Sequence, residues 1–234
     1  MRQKQPNTDF DQNRRTVDQF STSHTTAANR VLRNTYIMLS MTLLFSAITA
    51  GISMSMNAPL MNPIVTLVVY FGLFFAVNAT KNSPMGIVLT FALTGFLGFT
   101  IGPILNFYMT TFSNGSELIM MALGSTALIF FGLSAIALNP NRNFSKMGTF
   151  LGIGAIVALV AIVANLFLQI PALALAISVI VALISGALIM YQTNAIVRGG
   201  ETNYIMATVT IYISILNIFL TILQFLGMFA GNRS

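Results

Sequence analysis

The chain has 234 residues, of which 56% are hydrophobic and only 7% charged, against about 25% charged in an ordinary soluble domain. It has no cysteine, which excludes disulfides, thiolate metal sites and cysteine catalysis. Its net charge of +6 could point to nucleic acid, but the distribution of the basic residues favours a membrane protein with charged loops.

Residues 1–30 form a separate block, rich in Gln, Asn, Ser and Thr. Such a segment buries too little apolar surface to offset the entropy of ordering it, so it reads as a disordered cytoplasmic tail. It has no apolar core of a signal peptide, so the first hydrophobic helix is expected to act as an uncleaved insertion signal. The remainder, 31–234, reads as one transmembrane domain.

Residues 34–80, 82–116, 118–141, 147–197 and 202–232 carry no charge. A membrane helix needs about 20 mostly apolar residues. Turn-formers and charges divide these runs into seven spans, at roughly 36–56, 63–79, 85–108, 118–138, 148–168, 172–197 and 204–229. The faintest break rests on Gln169 and Pro171 alone. A helix running through it would be about 75 Å long, far beyond a hydrocarbon core of about 30 Å, so a hairpin is required. With the N-terminus inside, the tail and the loops holding Lys81, Arg142, Lys146 and Arg198 share one side, and every basic residue except Arg233 falls there. That asymmetry predicts seven spans, N-terminus cytoplasmic and C-terminus outside.

The spans are poor in catalytic chemistry. Outside the tail the carboxylates are Glu117 and Glu201, and the single histidine, His24, lies in the tail, where it reads as solvated. There is no carboxylate pair for aspartyl proteolysis, no His-x-x-x-His for zinc, and no membrane histidine to activate a serine. Ser145 and Lys146 adjoin each other in a loop and read as solvated. These absences argue against an enzyme. The spans also lack the ionisable residue that coupled transporters keep in the membrane.

The last span carries the clearest pattern. Asn203, Ala207, Thr210, Ser214, Asn217, Thr221 and Gln224 recur at steps of four and three, which draws one polar or small stripe along a helix face. Span six has a companion series in Ser178, Ser185 and Gln192. The stripe can serve interhelical hydrogen bonding or line a polar path. In span three, Gly98 and Gly102 form a GxxxG followed by Pro103, which predicts close packing and a kink, or a flexible gate. Gly148 and Gly152 repeat the spacing in span five. Gly199 and Gly200 suit the end of span six. Thr202 or Glu201 can cap span seven, with Glu201 also a candidate for a cytoplasmic gate or partner contact, and Glu117 can cap span four.

VLRNTYIMLSMTLLFSAITA at 31–50, TGFLGFTIGPILNFY at 94–108 and RGGETNYIMATVTIYISILNIFL at 198–220 resemble the Bax inhibitor-1 family, and within it the bacterial inner-membrane branch. The likeness runs from about Val31 to Gly227. It implies seven helices, six around a central seventh. It implies an interaction protein of the bacterial inner membrane that binds and restrains FtsH, a membrane-anchored ATP-dependent protease, with the tail as a segment the protease can grip. No cofactor is expected. Other bacterial members leak calcium under pH control through an aspartate pair, and the matching positions here are about Gln192 and Ser214. Neither side chain ionises, which argues against a pH-gated leak as the main activity and leaves a calcium or cation leak as the alternative.

Overall fold

The computed structural model describes the backbone of residues 8–231 and the side chains of residues 26–231. It contains seven helices: α1 Thr8–Ser55, α2 Pro63–Thr80, α3 Pro84–Thr111, α4 Gly115–Ala137, α5 Met147–Leu168, α6 Pro171–Val197 and α7 Tyr204–Gly231. Each is long and apolar enough to cross a membrane, α1 through its Thr26–Ser55 portion. The chain is therefore a polytopic all-α membrane protein.

The helix boundaries follow from local chemistry. Pro63, Pro84 and Pro171 open α2, α3 and α6, where a missing N–H costs nothing and the fixed φ suits a helix. The Asn62 side chain caps α2 by accepting from Ile64 N at 2.9 Å. The faint break after α5 is made by Gln169, whose φ of 53° turns the chain into the left-handed region. Asn165 Oδ1 then accepts from Ile170 N at 3.2 Å, and Pro171 starts the next helix. Gly199, with φ of 74°, ends α6 in the conformation that glycine adopts without strain.

Two differences from the sequence reading stand out. Backbone helix begins at Thr8, inside the block expected to be disordered. Extending a helix from a formed span needs no new nucleus, a term that composition does not capture. Residues 1–7 and the side chains of residues 1–25, His24 among them, lie outside the described residues, as does Arg233.

The second difference concerns the ring of six around one. Helix α7 supplies Ile205, Val209, Ile211, Tyr212, Ile218, Phe219 and Leu223, spread over all three buried apolar clusters. In its most apolar stretch 61% of residues are buried, against 6% for α2 and 11% for α5. The extensive packing of α7 is on α1, α3, α4 and α6, whereas α2 leans on α3 and α5 leans on α6. The inner bundle thus has four helices about α7, with α2 and α5 as outer helices. Spans of similar hydropathy cannot be ranked by depth from sequence, because lipid and protein interior are almost equally apolar.

Candidate functional site

The two polar series meet. Thr221 Oγ1 on α7 donates to the Ser178 carbonyl on α6 at 3.1 Å. Asn217 Nδ2 donates to Ser185 Oγ at 3.2 Å. At the α6–α7 turn, Gln192 Nε2 donates to Glu201 Oε2 at 3.2 Å. The stripe of α7 and the three-member series of α6, spaced by seven, therefore form one antiparallel seam. Between these contacts, Thr210 Oγ1 donates to the Met206 carbonyl at 2.9 Å and Ser214 Oγ to the Thr210 carbonyl at 2.8 Å. Hydroxyls that bond back to their own helix carry no demand for water. Ala207 is fully buried, and Gln224 is half-buried at the far end.

Among the described residues, no hydrogen bond joins Gln192 to Ser214. The Ser185–Asn217 contact sets the register and places Gln192 level with Thr210, a turn from Ser214. Gln192 points to Glu201, and Ser214 points to its own backbone.

The basic end of the bundle is tied together around this seam. Asn203 caps α7, its Oδ1 accepting from Met206 N at 3.0 Å. The cap is thus Asn203 rather than Thr202 or Glu201. Its Nδ2 also reaches the α2–α3 loop, donating to the Lys81 carbonyl at 3.0 Å and to Asn82 Oδ1 at 2.9 Å. Glu201 braces the turn instead: Oε1 accepts from Asn203 N at 2.7 Å, while Oε2 holds Gln192. Glu117 lies in the first turn of α4, where its charge faces the positive helix end, but the N-cap is Asn114 without a side-chain bond.

Asn194 is the member that sequence reasoning missed. It is 1% exposed. Its Nδ2 donates to the carbonyls of Ala137 and Arg142, each at 3.1 Å, and its Oδ1 accepts from Phe144 N at 3.2 Å. Arg198 adds a bond from a guanidinium N–H to the Pro140 carbonyl at 3.1 Å. Together they clamp the α4–α5 loop onto the end of α6. The available signal was an asparagine in the last turns of an apolar helix, since buried amides are almost always bonded.

The glycine motif of α3 meets α1. A Cβ on Gly98 would run into the Ser46 carbonyl, and one on Gly102 into the Ser53 side chain, with the Ala50 carbonyl at 2.9 Å. Pro103 lies buried within α3, which continues through it to Thr111. Gly148 accommodates Tyr191, whose hydroxyl would sit 2.8 Å from an added Cβ, whereas Gly152 faces open space. Beside the α1–α3 contact lies a second buried group. Ser46 Oγ and the Tyr212 hydroxyl are 2.6 Å apart, and Tyr212 donates to the Thr94 carbonyl at 3.2 Å. This joins α1, α3 and α7 at one point.

Comparison with known proteins agrees with this architecture. The family model described as "Inhibitor of apoptosis-promoting Bax1" (Bax1-I) matches residues 28–231. The chain is 49% identical over 201 residues to "Modulator of FtsH protease YccA" of Escherichia coli K12, covering 86% of this chain and 91% of that protein. It has the same identity and coverage with "Inner membrane protein YccA" of Escherichia coli O6:H1. It is 43% identical over 216 residues to an uncharacterised membrane protein of Vibrio cholerae, covering 91% and 95%. Seven apolar helices, a match across nearly the whole membrane domain and relatives of this identity lead to one conclusion: the chain belongs to the Bax1-I family.

Proposed function

We propose that this chain is an inner-membrane interaction protein that binds FtsH and restrains its proteolysis. The observation that carries the proposal is the 49% identity, spread over 91% of the protein named a modulator of FtsH protease. The second relative's name supports an inner-membrane location. The concentration of Lys81, Arg142, Lys146 and Arg198 at one end supports a cytoplasmic N-terminus and an outer C-terminus. A binding role is supported by the relative's name, which is that of a modulator of a protease.

The clamped basic end is the part of the bundle that would face the cytoplasmic chamber of the protease. Hydrogen bonds from Asn194, Arg198 and Asn203 hold its loops in fixed relation. Residues 1–30 would be the segment offered to the protease as substrate. Removing residues 1–29 is then expected to leave insertion intact and slow turnover in a pulse-chase. Unchanged turnover would take the tail out of the mechanism. A leak along the α6–α7 seam has weaker support, because the polar groups there bond to each other or to their own helix.

The test is capture from native membranes. The chain carries a C-terminal tag, is solubilised in mild detergent, and is compared with an unrelated seven-span protein. Enrichment of FtsH over that control supports the proposal. A folded bundle with no enrichment contradicts it.

A further inference from the structure

We propose that the cleft between the start of α5 and the end of α6 binds a phosphate-bearing anion at the membrane surface. This goes beyond the protease reading and does not depend on it. The cleft is half-open to the surface, offers about 180 Å³ and is lined by Ser145, Tyr191, Ala195, Arg198 and Gly200. Its lining brings together one exposed arginine and two hydroxyl-bearing side chains.

The Arg198 guanidinium is aimed by its bond to the Pro140 carbonyl at 3.1 Å. That bond uses one of five N–H donors and leaves the rest of the fork for an oxyanion. Among the described residues, no carboxylate forms an ion pair with it. Glu201, three residues along the chain, has one oxygen held by Asn203 N and the other by Gln192. Ser145 and Tyr191 bring hydroxyls that have no hydrogen-bond partner among the described residues. The Tyr191 ring lies where it does because residue 148 is glycine, with no Cβ to meet its hydroxyl at 2.8 Å. Lys146, exposed next to Ser145 just before α5, adds positive charge to the rim.

These features select an anion, and a planar guanidinium fork with hydroxyl donors matches phosphate oxygens. The cleft sits where α5 begins and α6 ends, the depth at which lipid headgroups lie. Beside it the outer face of α5 exposes Phe150, Ile153 and Val157 to lipid tails. The phosphate can therefore come from an anionic phospholipid or from solution.

The experiment uses the full chain in non-ionic detergent and reads Tm on adding phosphatidylglycerol, phosphatidylcholine or inorganic phosphate. Phosphatidylglycerol is expected to raise Tm by about 2–4 °C, as a ligand of the folded state does. Arg198→Gln is expected to abolish the rise, and Lys81→Gln, away from the cleft, to keep it. A rise with inorganic phosphate alone upholds the site and assigns it to a soluble phosphate. If Arg198→Gln does not fold, the double variant Ser145→Ala, Tyr191→Phe replaces it, with a smaller rise expected. The proposal is overturned if no addition raises Tm, if the cleft variants respond like the parent chain, or if Lys81→Gln loses as much as Arg198→Gln.

Discussion

Asn217 on α7 donates its amide N–H to the Ser185 hydroxyl on α6 at 3.2 Å, fixing the register of two antiparallel helices in the middle of the membrane. Without that contact the two polar series would be separate stripes. With it they become one seam running from Ser178 to Glu201.

The energy of this contact is measurable. Interhelical hydrogen bonds in membranes average about 0.6 kcal/mol, with a maximum near 1.7. A double-mutant cycle on Asn217→Ala and Ser185→Ala is expected to return a coupling of about that size in an unfolding assay. Additive effects would show that the seam does not act as a pair.

The glycines of α3 and α4 should behave oppositely. Gly98 packs on the Ser46 carbonyl, while Gly124 has nothing within 4 Å of an added Cβ. Gly98→Val is expected to cost about 1–3 kcal/mol or more by forcing α1 and α3 apart. Gly124→Val should leave Tm nearly unchanged. Equal effects would dissociate the GxxxG from packing.

Asn194 holds the α4–α5 loop with three hydrogen bonds. Asn194→Leu leaves those backbone groups without partners, at a cost of about 1–3 kcal/mol for each buried group left unpaired. The loop carries Arg142 and Lys146. Trypsin is therefore expected to cut there faster in the variant than in the parent, in detergent solution. Equal cutting rates would mean that the clamp does not restrain the loop.

Two buried serines make a paired test. Ser46 bonds to Tyr212 at 2.6 Å, whereas the Ser134 hydroxyl is buried with no partner among the described residues. Ser46→Ala is expected to lower stability by about 1 kcal/mol or more, because it also strips a partner from the buried Tyr212 hydroxyl. Ser134→Ala is expected to be neutral or stabilising. The reverse order would contradict the assigned bonding.

Much of the fold was legible before any coordinates. Prolines 63, 84 and 171 each stand at the first turn of a helix, and long uncharged runs admit little else. Even the hairpin at Gln169 followed from length alone, since no bilayer holds a single helix from Met147 to Val197. The helix from Thr8 was not legible, because it extends from a neighbouring span rather than from its own composition. The outer positions of α2 and α5 were hidden for a different reason: lipid-facing and protein-facing residues are both apolar.

The site was legible in part. The four- and three-residue steps of α7 and the heptad spacing of α6 gave both edges of the seam. The bonding partners were not available, so Gln192 could be matched to Ser214 although it reaches Glu201. Asn194 and Tyr212 escaped notice because each acts on residues far along the chain, at Ala137 and Ser46. Periodicity within one helix carries no record of such contacts.

The central claim is that this chain restrains FtsH. The most direct measurement reconstitutes purified FtsH with a membrane substrate in proteoliposomes and follows ATP-dependent degradation as this protein is added. The expected result is a dose-dependent fall in degradation, absent with an unrelated seven-span protein at the same density. Degradation that proceeds at the same rate with and without the folded chain would contradict the account.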